Sequence, residues 1–99
     1  MIYEIARITV KPGTEADFES GVAQALALFR RAQGCLGLEL QRVVERPLDN
    51  RRVVRWATLE DHTVHFRGSE DFQSWRQLVG HCFAAPPDVE HASIAVSGF

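Results

Sequence analysis

From Ile2 to Val10 apolar and polar residues alternate. Ile2, Ala6, Ile8 and Val10 share one side with Glu4, and Tyr3, Ile5, Arg7 and Thr9 share the other. The pattern predicts a strand with both faces largely covered. Lys11-Pro12-Gly13 ends it as a turn. Beyond the turn the period changes to that of a helix. Thr14 is the expected N-cap, with Glu15 and Asp17 in the first turn. Phe18, Val22, Ala25, Leu26 and Phe29 form one apolar stripe, and Gly34 closes the helix after Arg31.

Alternation returns from Leu36 to Glu45, with Leu36, Leu38 and Leu40 on one side and Glu39 and Gln41 on the other. Pro47-Leu48-Asp49-Asn50 is a turn, and Arg52 to Ala57 is the return strand of a hairpin. Leu59 to Phe66 reads as a short helix, interrupted at Gly68. Ser69 caps a further helix that carries Phe72, Trp75, Arg76 and Val79 on one face. Gly80 to Pro87 is a loop and Val89 to Ser97 the last strand.

The order β-α-β-β-α-β predicts an α+β, ferredoxin-like domain spanning residues 1–99, with an antiparallel four-stranded sheet and its helices on one face. Tyr3, Ile5, Val43 and Val53 would leave the other face partly apolar. Stacking that face on a second copy covers it, which gives a homodimer. Arg7, Glu39, Gln41 and Arg55 on that face are expected to form ion pairs in or around the dimer interface.

Composition narrows the function classes. The 99 residues are 45% hydrophobic and 24% charged with a net charge of −2, an ordinary globule rather than a basic nucleic-acid binder. No run approaches the ~20 apolar residues of a membrane span, and the N-terminus, already a strand, lacks a signal-peptide pattern. Cys35 and Cys82 have no metal or redox spacing, so reduced thiols and a cytoplasmic setting are expected.

Several segments in order, ITVKPG at 8–13, GCLGLEL at 34–40, W-x-x-L-x-x-H-x-x-H-F from Trp56 to Phe66, RGSEDFQSW at 67–75 and PPDVEH at 86–91, resemble the antibiotic biosynthesis monooxygenase family. The resemblance implies a dimeric α/β barrel. It also implies chemistry of the kind found in cofactor-free oxygenases of quinols and polyphenols, with a small aromatic substrate and molecular oxygen as partners. The family's haem-degrading branch places an Asn on the first strand, a Trp on the first short helix and a His on the next. The corresponding positions here are Ala6, His65 and Trp75 or Arg76, so haem degradation ranks low.

Such an oxygenase needs a base, a dry pocket and a group that stabilises developing negative charge. His65 and His62 are the candidate catalytic bases, three apart on the short helix, with His65 at a place where a His is common in the wider family. His91 could reach the same pocket and pair with His62 or Glu4. Glu4 on the helix-facing side needs a partner if buried, and could orient a His or anchor substrate. Trp56, Phe66, Phe72, Trp75 and Phe83 supply aromatic surface, of which two or three are expected to line the cavity. Arg76 could bring positive charge, or its head could reach solvent. His81 is expected in solvent. A zinc site from His62, His65 and His91 has weak support from spacing, so no metal and no cofactor are expected. The alternative reading is a non-catalytic, small-molecule-binding or stress-associated dimer.

Overall fold

A computed structural model describes all residues, 1–99. Strands β1 (Ile2–Thr9), β2 (Cys35–Arg42), β3 (Asp49–Trp56) and β4 (Asp88–Ala92) form one antiparallel sheet in the order β2-β3-β1-β4. Helices α1 (Glu15–Arg30) and α2 (Glu70–Val79) pack on one face, with a π-helical turn at Asp61–Phe66 and a 3-10 turn at Gly80–Cys82 between elements. This is the ferredoxin-like α+β arrangement expected from the residue pattern.

Period-two alternation decides what the sheet buries. Glu4, Ala6 and Ile8 of β1 and Arg52, Val54 and Trp56 of β3 are buried beneath the helices. Phe18, Val22, Ala25 and Phe29 of α1 and Trp75 and Val79 of α2 close over them as a single core. Tyr3, Ile5, Val43 and Val53 are half-buried, and Arg7, Glu39, Gln41 and Arg55 are exposed. No helix is long and apolar enough to cross a membrane.

Five local expectations are corrected. Leu36 does not share a face with Leu38 and Leu40. Cys35 pairs with Trp56 and Gly37 with Arg55, so Leu36 is the extra residue of a bulge and is exposed. Leu26 is exposed at the edge of the α1 stripe. The Thr14 side chain makes no cap; its Oγ1 donates to the Lys11 carbonyl, and the Glu15 carboxylate instead accepts from Gly13 N at 2.6 Å. The hairpin is shifted, with β2 ending at Arg42 and β3 beginning at Asp49. Finally, β4 stops at Ala92. It pairs only with β1, and the pairing ends at Tyr3↔Ala92, so residues 93–97 have no strand left to join within the chain. Ser69 does cap α2, its Oγ accepting from Phe72 N at 3.2 Å.

A buried carboxylate–imidazole site beside an apolar cavity

The site grows from strand register. Glu4 on β1 lies opposite Val54 of β3 and His91 of β4. Arg52 and Trp56, two residues either side of Val54, are its diagonal neighbours on the same face, within reach of long side chains. Glu4 is only 1% exposed. Its carboxylate takes an ion pair from Arg52 Nη2, accepts a hydrogen bond from Trp56 Nε1 at 3.0 Å, and lies 3.4 Å from His62 Nε2. A buried carboxylate with this many donors is compensated rather than orphaned.

His62 descends from the π-helical turn and stacks on Trp56, with centroids 5.6 Å apart. Its Nδ1 is 2.7 Å from Nε2 of half-buried His91. The carboxylate can only accept, which favours the tautomer with Nε2–H toward Glu4 and the Nδ1 lone pair toward His91 Nε2–H. Burial pushes the His62 pKa down to about 4. Glu4 opposes that shift, and the charges of Arg67, His91 and Arg52 add to it. At neutral pH the His62 ring is therefore uncharged.

The π-helical turn separates the two candidate histidines. Its backbone bond runs from Arg67 N to the His62 carbonyl, five residues apart, which widens the turn. Residues four apart then align, so His62 and Phe66 both point inward, and His65 is carried to the exposed side. The expectation that His65 and His62 share a patch is corrected for that reason. It also follows that His62, His65 and His91 do not converge. No group of three His, Cys, Asp or Glu side chains is placed to hold a metal ion.

His62, Glu4 and Arg52 lie on the wall of a cavity of about 410 Å³ between the sheet and α2. Of the five aromatics, Phe72, Trp75 and Phe83 line it. Trp56 and Phe66 do not. Trp56 is fully buried behind His62, and Phe66 packs among Phe29, Trp56 and Phe72 in the core. Arg76 reaches the cavity with its guanidinium 5.9 Å from the Phe72 ring, and Pro86 and Pro87 form part of the rim. His91, expected to reach the pocket, does not line it; it contacts His62 from β4, the outer strand beside β1. His81 is exposed.

Arg52 and Arg67 are site residues that the sequence reading missed. Arg52 alternates with Val54 and Trp56, which already placed it on the buried face, and a buried Glu4 on the neighbouring strand called for a cation. Its guanidinium lies 4.8 Å from the Trp75 ring and 5.4 Å from the Phe29 ring. No comparable signal marked Arg67.

Fold and site together define a small α+β protein with a carboxylate-anchored imidazole facing a semi-apolar cavity. The chain belongs to the antibiotic biosynthesis monooxygenase family, whose model matches residues 1–78. A Bordetella bronchiseptica protein, provisionally named an antibiotic biosynthesis monooxygenase, has a solved structure 56% identical to the chain. It superposes with a TM-score of 0.94 over 96% of this chain and 97% of its own. The uncharacterized Bacillus subtilis protein YczJ is 35% identical over 92% of this chain and 96% of its own. SnoaB of Streptomyces nogalater, described as a cofactor-independent oxygenase, shares the fold with a TM-score of 0.82 at 18% identity, over 97% of this chain and 94% of its own.

Proposed function

We propose that the protein is a cofactor-independent monooxygenase that oxidises a small phenol- or quinol-type aromatic with O2. The observation that carries this reading is the buried His62, 3.4 Å from Glu4 on the wall of a cavity that also presents Phe72, Trp75 and Phe83. Family membership and the cofactor-independent oxygenase that shares the fold support the same chemistry. The binding-only alternative calls for a collapsed cavity and histidines tied to backbone. His62 instead bonds side chain to side chain, beside about 410 Å³ of space.

In this reading the ring stacks among the three aromatics and its hydroxyl meets His62 Nδ1 in place of His91. His62 takes the proton at Nδ1, and Glu4 beside Nε2 steadies the imidazolium that forms. Burial lowers the His62 pKa to about 4 and makes it a weak base on its own. A phenolate forming beside the ring supplies the counter-charge that makes the transfer favourable. The phenolate gives one electron to O2, the two radicals join through a new C–O bond, and the resulting peroxide anion takes the proton back from the His62 imidazolium. The hydroperoxide then loses water, so one oxygen atom ends as a ring carbonyl and the other as H2O, with all electrons coming from the substrate. Arg52 and Arg76 stabilise the intermediate negative charge.

The domain over 1–99 would work as a cytoplasmic homodimer paired through the Tyr3, Ile5, Val43 and Val53 face, with Cys35 and Cys82 as free thiols. The test is oxygen uptake with naphthalene-1,5-diol, which should give one 5-hydroxy-1,4-naphthoquinone and one water per O2, with a single 18O atom from 18O2 in the product. His62→Ala should abolish uptake and His65→Ala should leave it unchanged. Uptake that survives His62→Ala refutes the proposed base.

A further inference from the structure

The cavity holds one carboxylate and three guanidinium groups, from Arg52, Arg67 and Arg76. The carboxylate is Glu4, and it is engaged by Arg52, by Trp56 Nε1–H and by the neighbouring His62. Arg52 is 5% exposed, and its Nε–H has no partner. Arg67 and Arg76, with exposed side chains, make no ion pair; Arg30, Arg51 and Arg55 are also unpaired, but only Arg67 and Arg76 of these five line the cavity. Three guanidiniums against one carboxylate leave the lining of this cavity net positive on a chain whose net charge is −2.

The geometry points to a carboxylate-bearing aromatic as the ligand, its ring against Phe72, Trp75 and Phe83 and its carboxylate between Arg67 and Arg76. The inference rests on reading this cavity as the substrate site, and it specifies the substrate class. Two unpaired guanidiniums lining a cavity that also presents three aromatic rings suit an aromatic acid better than a neutral ring, because charge-assisted bonds to carboxylate are strong and directional. Pro86 and Pro87 limit how the rim can move to accept another shape. The bound carboxylate would also offset the Arg67 and Arg52 charges that add to the burial-driven lowering of His62, and so oppose part of that lowering.

The experiment is anaerobic calorimetry of 1-hydroxy-2-naphthoate against 1-naphthol, two rings that differ by one carboxylate. The acid should bind roughly tenfold or more tighter, with a preference that shrinks as salt rises. In Arg67→Gln/Arg76→Gln the preference should fall to about threefold or less, while 1-naphthol binds within about twofold of its original affinity. Equal affinity for the two rings, no binding of either, or a preference that survives the double variant overturns the inference. Loss of both ligands by the double variant does so too, since the guanidiniums would then be building the wall rather than reading charge. Preference for the acid without oxygen uptake removes the monooxygenase reading and leaves this one standing. Oxygen uptake with equal affinities removes only this one.

Discussion

His62 should make the stability of the fold fall with acid in a window set by its own titration. The ring is 3% exposed and its pKa is pushed down from 6.5 to about 4, chiefly by burial. Around it stand Glu4 from β1, Arg52 and Trp56 from β3, His91 from β4 and Arg67 just past the π-helical turn. Above pH 6.5 neither the folded nor the unfolded chain protonates this ring, and its contribution is fully present. As pH falls from 6.5 toward about 4, the unfolded chain takes up a proton that the fold refuses, so stability is lost; below about 4 both states bind it and the loss levels off. The full displacement is worth about 3 kcal/mol, of which about 2–3 kcal/mol is gone by pH 4.5. That is a large part of the ~5–15 kcal/mol that usually holds a domain of this kind. Asp49 and Asp71, whose carboxyls are held low by Arg46 and Arg31, shed their contributions below the ordinary carboxylate pKa, outside most of this window. Urea unfolding at pH 7.5, 6.5, 5.5 and 4.5 should show the loss in the native chain and not in His62→Asn, whatever the variant's stability at pH 7.5. Parallel curves for the two proteins across the window would refute the claim that His62 is held neutral by burial.

Glu4→Gln should destabilise by about 3–5 kcal/mol in urea unfolding, because it leaves Arg52 buried without its counter-ion. Glu4→Leu/Arg52→Met should restore much of that loss, and a double change as costly as the single one would show that the pair is not the cause. Gly34 has φ +74, and a Cβ there would overlap the Asp61 carboxylate that also accepts from Thr58 N and Gln33 Nε2. Gly34→Ala should therefore cost more than about 2 kcal/mol, against about 1–2 for Gly13→Ala, which has φ +88 but open space. Equal shifts in thermal midpoint would remove the overlap argument.

Alternation, turn residues and one helical stripe were enough to place all four strands and both helices in order, because burial on one face imposes a period that the residues themselves display. The same alternation put Glu4 on the helix side and so marked a carboxylate in need of partners. Which partners it found was decided elsewhere. Arg52 and Trp56 reach Glu4 only because β1 and β3 pair with Glu4 opposite Val54, and His91 lies beside it only because β4 adds to the far edge of β1. Register of this kind depends on contacts between segments some 50 to 90 residues apart, which no local pattern encodes. The choice between His62 and His65 was likewise invisible, since both fit an α-helical face equally well. The five-residue backbone bond from Arg67 to His62 widened the turn and settled it. Local chemistry thus supplied the elements and the reactive side chains, and long-range pairing with one irregular turn selected those that meet at the cavity.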